Sequence, residues 1–564
     1  VYDVNGEWEW GLAVAAIAAI IVPIAFGLVV AGKRLCKQCQ GTGLNFMFIY
    51  AVMLLLQKDT EVRLDPLLNR LEQEKTPLFD AVKNYINAGT IPFHVPGHKQ
   101  GRGLQEFKEF IGANALAMDL TCMPDLDNII NPTGAIKKAQ ELAAQTFGAD
   151  HAYFLVNGTT CGIQAMIMAV CQPGDKLILP RNAHKSAVGG LILSGANPVY
   201  LSPQINRDFG FSVGITPEQV ERALREHPDA KGVFVVNPTY YGAAPDLKAI
   251  VEIAKNRRVP VIVDEAHGAH FCFSPKLPLS AMEAGADLAA SSTHKLTGSM
   301  AQSSILFLRE GLISPQRVKA VLNITQTTSP SYLLLASLDV ARKQMALQGK
   351  ELLQRTLKLA TWAREEIRAI KGLSLMDERV LGPGCVAFDP TKVTVNVQGL
   401  GMSGYELESI LRRQYGLQVE LADLYNVIFL LTIADSQETV SYLVDCLTDV
   451  ANKRSNRKVV RFCPPLPPLP EMSVLPREAF NSQTTVVDLW DAAGEISAES
   501  IMAYPPGIPL ICPGERLTRE IIEYVAVLRQ ENADLQGTED PRVEKIKVLR
   551  HGLTLVEPNM VDVG

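Results

Sequence analysis

Val261-Ile262-Val263-Asp264-Glu265-Ala266-His267-Gly268 reads as an apolar strand that stops on an acid. A carboxylate buried at such a strand end is costly unless a cation meets it. A protonated ring nitrogen is such a cation, and one held in that state turns its ring into an electron sink. The plainer alternative is an acid that caps the following segment.

Working outward, short apolar runs alternate with amphipathic helical stretches from Thr76 to Gly311. Residues 152–156, 176–179, 198–201, 232–236, 259–263 and 304–308 read as buried strands, and 136–147, 217–226 and 247–256 as helices. This alternation predicts an α/β domain with a mainly parallel sheet covered on both faces. Ligands in such sheets gather at the carboxyl ends of the strands, so those ends are where chemistry is sought.

Three further strand ends carry suitable residues. Asn157-Gly158-Thr159-Thr160 opens a helix at 161–170, where free N–H groups, the helix dipole and two hydroxyls suit a phosphate; taken singly, the turn is equally a helix cap. Ser291-Ser292-Thr293-His294-Lys295 brings hydroxyls and a lysine that burial would leave unprotonated and able to form an imine. In Arg181-Asn182-Ala183-His184-Lys185, His184 is the one ring able to stack on a planar cofactor, a structural histidine being the alternative. His-Lys pairs occur at 98–99, 184–185 and 294–295. Lys99 precedes the sheet and Lys185 precedes the acid, whereas Lys295 follows both the phosphate turn and the acidic strand end. Lys295 is therefore the expected covalent lysine.

Beyond Thr325 the pattern becomes a long helix from Tyr332 to about Ile370, and then a smaller α/β unit. The run Cys463-Pro464-Pro465-Leu466-Pro467-Pro468-Leu469-Pro470 reads as a stiff linker. The expected domains are a hydrophobic N-terminal segment at 1–60, a major domain at 76–330, a linking helix with a small α/β domain at 331–460, and a C-terminal subdomain at 471–550. The 564 residues are 47% hydrophobic and 20% charged, with a net charge of -6 spread along the chain. That balance describes a well-cored protein and excludes a basic nucleic-acid footprint. Ten scattered cysteines, most in apolar runs, fit buried thiols in a reducing compartment rather than a disulfide framework.

The chain opens on Val1, as a fragment or a processed form would. Residues 11–32 carry no charged side chain and would span roughly 30 Å as a helix, about the thickness of a bilayer core. With Glu7 and Glu9 before it and Lys33, Arg34 and Lys37 after it, the run reads as a transmembrane helix and a membrane tether rather than a signal peptide. The apolar run 44–56 is short for a second span. Cys36 and Cys39, in a single CxxCxGxG element, supply half of a zinc site at most; no metal is expected at the active centre.

Together Pro92-Phe93-His94-Val95-Pro96-Gly97-His98-Lys99, Asn157-Gly158-Thr159-Thr160, Asp264-Glu265-Ala266-His267-Gly268, Ser292-Thr293-His294-Lys295 and Thr327-Thr328-Ser329-Pro330-Ser331-Tyr332 resemble the Orn/Lys/Arg decarboxylase family. The resemblance runs from about Thr76 to Glu515. It implies the aspartate-aminotransferase-like fold (fold type I), pyridoxal 5'-phosphate as cofactor, and decarboxylation of a basic amino acid to a polyamine precursor and CO2, with arginine ahead of lysine and ornithine. Carried over by motif, Lys295 holds the cofactor, Asp264 meets its ring nitrogen and His184 stacks on its ring. Gly158, Thr159, Thr160, Ser292 and His294 surround the phosphate, and His267 lies near the acid end of the ring. Thr327 and Thr328 belong to a segment that would complete the site of a second subunit, in a homodimer or higher homo-oligomer. Members with a receiver-like wing domain before the core are less similar than the short biosynthetic type, because a hydrophobic segment stands in that place here. The substrate's distal cation needs an acid, for which Glu499 and Asp488 are the expectation. Rival readings are a transaminase or aldolase-like enzyme of the same fold, and a membrane-tethered zinc or redox protein with an inactive enzyme-like portion. The compartment expected is a plastid, membrane-associated or not, or the cytoplasm.

Overall fold

Seven strands build the main sheet: β1 (His151–Leu155), β2 (Lys176–Pro180), β3 (Asn197–Leu201), β4 (Gly232–Val236), β5 (Val261–Asp264), β6 (Leu288–Ser291) and β7 (Ser304–Leu308). Their order is β1-β7-β6-β5-β4-β2-β3. All neighbours are parallel except β7, which runs against both β1 and β6. The protein is described by a computed structural model over residues 70–454, 466–504 and 507–550.

Side chains of the central strands alternate between two cores. Val233, Val235, Val261, Val263, Ala289, Ile305 and Phe307 face one core, while Phe234, Ile262, Leu288, Ala290, Leu306 and Leu308 face the other. Helices cover both faces, which is why these strands read as continuous apolar runs. Helix Pro217–Glu226 starts on a capping box of Thr216 and Gln219, with proline in its first turn. In the β4–β5–β6 register Val236 lies level with Asp264, and Asp264 with Ala290. The acid therefore emerges at the shared carboxyl edge.

Helix Tyr332–Ala369 leads from this sheet to a four-stranded antiparallel sheet of Ser374–Leu375, Lys392–Asn396, Asn426–Leu430 and Leu421–Ala422. Helices Gly404–Tyr415 and Gln437–Arg454 accompany it. The long helix also fastens the start of the core. Its Asp339 accepts the Leu78 and Phe79 N–H groups at 2.9 and 3.3 Å, supplying helix Pro77–Asn87 with the anionic cap that Thr76 does not provide.

The C-terminal part carries the pair Thr484–Asp488 with Lys545–Leu549, a three-stranded sheet of Ile508–Ile511, Ile501–Ala503 and Leu535–Gln536, and helix Arg519–Gln530. A buried ion pair joins it to the main sheet. Arg181, just past β2, donates from Nε and Nη2 to the two oxygens of Glu515, both at 2.7 Å, and from Nη1 to the Pro509 carbonyl at 2.8 Å.

The membrane reading needs correction. Among the described residues no helix is long and apolar enough to cross a membrane. The longest, Tyr332–Ala369, carries Lys, Arg and Glu side chains along its length, so its burial is against protein. The transmembrane helix and membrane tether expected at 11–32 receive no support, and that run, the run 44–56 and Cys36 and Cys39 lie outside the described residues. Every described cysteine is a free thiol.

Replacing Arg181 by Met strands the buried Glu515 carboxylate. Removing one partner of a buried pair costs about 3–5 kcal/mol. A urea titration should show that loss as an early transition, and an unchanged midpoint would mean that the pair does not hold the C-terminal part in place.

Candidate active site

At the carboxyl edge of the sheet lies a cavity of about 860 Å³. Gly158, Thr159, Thr160, His184, Asp264, His267, Ser292, His294 and Lys295 all line it. Of the three His-Lys pairs, only 294–295 brings its lysine to this cavity; Lys185 is exposed and lies 5.2 Å from the Tyr504 ring centre.

One end of the cavity is a hydroxyl cup. Gly158 takes a left-handed φ of 71° as helix Gly158–Val170 begins, and its N–H donates to the Gln302 carbonyl at 2.9 Å. Thr159 Oγ1 lies 2.5 Å from Ser292 Oγ and 2.6 Å from Ser304 Oγ. His294 Nδ1 donates to the Ser303 carbonyl at 2.7 Å, which turns Nε2 away from that bond. Hydroxyls at a helix start form a site for a phosphate.

Asp264, the last residue of β5, also lines the cavity and is 5% exposed. Its Oδ1 accepts the Ala266 N–H at 3.1 Å. Burial pushes its carboxyl above the usual range, against the pull of that bond and of Lys295. A buried acid facing a cavity in this condition suits a cationic ring nitrogen, so the wall fits the pyridinium end of pyridoxal phosphate.

His184 caps helix Lys185–Ser194. Its Nδ1 accepts the Ser186 N–H at 3.2 Å and lies 2.8 Å from the Ser186 hydroxyl, which sets the plane of the ring. Burial, with Lys295 and Lys185 nearby, brings it down to about 4, so the imidazole is neutral. Lys295 Nζ lies 2.7 Å from His267 Nε2, and burial lowers it from the ordinary lysine range despite Asp264 and Glu420.

Two sets of expected residues lie elsewhere. Thr327 and Thr328 do not line this chain's cavity; Thr328 is exposed, and Thr327 Oγ1 accepts the Ser329 N–H. Glu499 and Asp488, the acids expected to meet the substrate's distal cation, do not line it either. Glu499 accepts the N–H groups of Glu539 and Lys547 at 2.8 and 2.9 Å, so its charge is spent on the backbone, and Asp488 faces solvent.

The cavity instead contains Glu420, whose Oε1 accepts the Tyr240 hydroxyl at 2.5 Å, and Asp423, whose oxygens are taken by Tyr241, Tyr425 and Asn426. Tyr240 follows β4 within the segment Asn237-Pro238-Thr239-Tyr240-Tyr241, and the strand-end rule could have found it. Glu420 precedes the strand Leu421–Ala422, two residues being too short to show a periodic pattern, so nothing local marked it. Lys392 was missed as well; its Nζ lies 2.8 Å from His267 Nδ1.

Residues 76–439 match the family described as Orn/Lys/Arg decarboxylase, major domain, and residues 463–542 match its C-terminal domain. The chain is 48% identical to the arginine decarboxylase of Bacillus subtilis over 484 residues, covering 85% of this chain and 99% of that one. It is 46% identical to the arginine decarboxylase of Bacillus anthracis, covering 85% and 98%. The lysine decarboxylase of Francisella novicida shares the fold at a TM-score of 0.74 and 23% identity, over 87% of this chain and 84% of that one. With both of its domains matched, and with a hydroxyl cup, a buried acid and a lysine lining one cavity, the chain belongs to the Orn/Lys/Arg decarboxylase family.

Proposed function

We propose that this protein decarboxylates arginine, acting as one of two identical subunits, with Lys295 as the amine that carries pyridoxal phosphate. The reaction class is pyridoxal-phosphate-dependent decarboxylation of a basic amino acid. The choice of arginine is supported by the relatives at 46–48% identity, which are arginine decarboxylases over nearly their whole length. The observation that carries the site assignment is the sharing of one cavity by Lys295, Asp264 and the turn at 158–160.

Pyridoxal phosphate, when bound, supplies the electron sink for the pair left on the α-carbon as CO2 departs. The N–H groups of Thr159 and Thr160, with their hydroxyls, Ser292 and His294, would hold the phosphate. Asp264 would keep a proton on the ring nitrogen, because burial outweighs the pull of Ala266 and Lys295 and such a cation would offset its charge. His184 would lie flat on the ring, and its neutrality spares the ring a second positive charge. Glu420 would take the substrate's distal cation through the oxygen not engaged by Tyr240.

A second subunit is supported by exposed apolar side chains ahead of the first strand. Ile91 is 71% exposed, Phe93 95% and Phe110 90%. Large apolar side chains left this exposed suit a contact, and the Thr327–Ser329 segment would reach the partner's cavity.

Lys295→Ala should abolish turnover and the absorbance of the cofactor joined to lysine while leaving the circular dichroism unchanged; an unaltered spectrum rejects the assignment. Incubation with arginine, lysine and ornithine should release CO2 and the matching amine, fastest from arginine, whereas a keto acid would rule out decarboxylation. Glu420→Gln should raise KM for arginine about tenfold or more, as loss of a charge-assisted hydrogen bond worth ~1.5–3 kcal/mol requires. An unchanged KM would place the distal cation elsewhere.

A further inference from the structure

His267 stands between two lysine amines. Lys295 Nζ lies 2.7 Å from Nε2, and Lys392 Nζ lies 2.8 Å from Nδ1. A neutral imidazole has one N–H and one lone pair, and an ammonium can only donate. For both contacts to be hydrogen bonds, the lysine facing the ring N–H must be a neutral amine. An imidazolium would require both lysines to be neutral. In every fully bonded arrangement the row therefore carries at most one positive charge.

Packing alone does not account for Lys392. It sits inside strand Lys392–Asn396, is 0% exposed, and forms no ion pair among the described residues. A buried unpaired amine is costly, and an apolar side chain would fill the space more cheaply. Its two hydrogen-bond contacts are the Tyr240 carbonyl at 3.0 Å and His267. The Tyr240 ring lies 5.2 Å from Lys392 Nζ and 5.7 Å from Lys295 Nζ, so either end of the row could hold the charge beside its face. Other charged or titratable groups bearing on the row are Glu420, His184 and His294 from the cavity wall, Asp264, and Asp389 with its partner His270 at 3.1 Å. Burial brings Lys392 down to about 7, with Asp389 opposing and Lys295 assisting.

Decarboxylation needs such a store. The bond from the α-carbon to the carboxylate breaks, its electron pair stays on carbon, and a C–H bond forms, so each turnover takes up one proton. We propose that Lys392 is a positioning residue that keeps this proton and passes it through His267 to Lys295. An N–H bond of Lys392 breaks as Nδ1–H forms; Nε2–H breaks as the lone pair of Lys295 gains a proton. Lys392 is left neutral, His267 neutral in its other tautomer, and Lys295 an ammonium that can supply the α-carbon. After the product leaves, a solvent proton entering at Lys295 returns by the same path.

The inference rests on Lys295 carrying the cofactor, and the two fail differently: Lys392 variants must retain the cofactor–lysine absorbance that Lys295→Ala loses. In the full-length holoenzyme, Lys392→Met and Lys392→Gln should lower kcat about tenfold or more with KM for arginine within about twofold. The pH midpoint of the cofactor–lysine absorbance should also rise by half a unit or more, because a neighbouring positive charge is gone. A loss confined to KM, or a fall in kcat with an unmoved midpoint, overturns the proposal. Should neither variant fold, the wild-type chain stripped of cofactor decides the question. Its capture of added pyridoxal phosphate should reach half-maximal rate below pH 9, and a midpoint near the ordinary lysine value of about 10.4 overturns the shared charge.

Discussion

Burying charge at the carboxyl edge of a parallel sheet is the constraint on which this site depends. Strands β4, β5 and β6 end level with one another, so whatever follows them is desolvated together. An acid at that edge stays ionised only against a cation, and an amine there is protonated only at a cost. Asp264 is left facing the cavity, Arg181 and Glu515 satisfy each other, and the amines of Lys295 and Lys392 share one imidazole. The pairs that close within the protein give it shape. The acid that does not close within it lines the cavity.

Much of this edge was legible because its residues are contiguous in sequence with strands that announce themselves. The strand expected at 152–156 is His151–Leu155, and that expected at 304–308 is Ser304–Leu308. The one expected at 259–263 begins two residues later and takes in Asp264, so the acid is the last residue of the strand rather than the first beyond it. The direction of β7 was not legible, since an apolar run between two turns reads the same in either sense and only pairing with β1 and β6 decides it. The residues that escaped notice come from far along the chain. Lys392 lies 125 positions from His267, and Glu420 lies 180 positions from Tyr240. Glu499 failed as an expectation because a carboxylate near backbone N–H groups is already occupied, and a sequence does not display that.

The C-terminal part takes a share in the site that its distance in sequence conceals. The Gly507 carbonyl accepts the Lys185 N–H at 2.9 Å, next to His184. A Cβ on Gly507 would stand 3.1 Å from His184 Nε2, and the backbone there has a φ of +81°, so glycine allows the segment to lie directly against the ring. With Arg181 bound to Glu515 and to the Pro509 carbonyl, the segment backing His184 is tied to the end of β2.

That arrangement joins stability to chemistry. A histidine expected to stack on a cofactor ring must be neutral and fixed in its plane, and both conditions come from packing: burial removes its proton, and Ser186 orients it. The same reasoning applies to Lys295, whose nucleophilicity depends on an amine that water would otherwise protonate. The burial that makes each of these groups expensive to fold is also what makes it reactive, so the stability given up at this edge and the competence of the site have one physical origin.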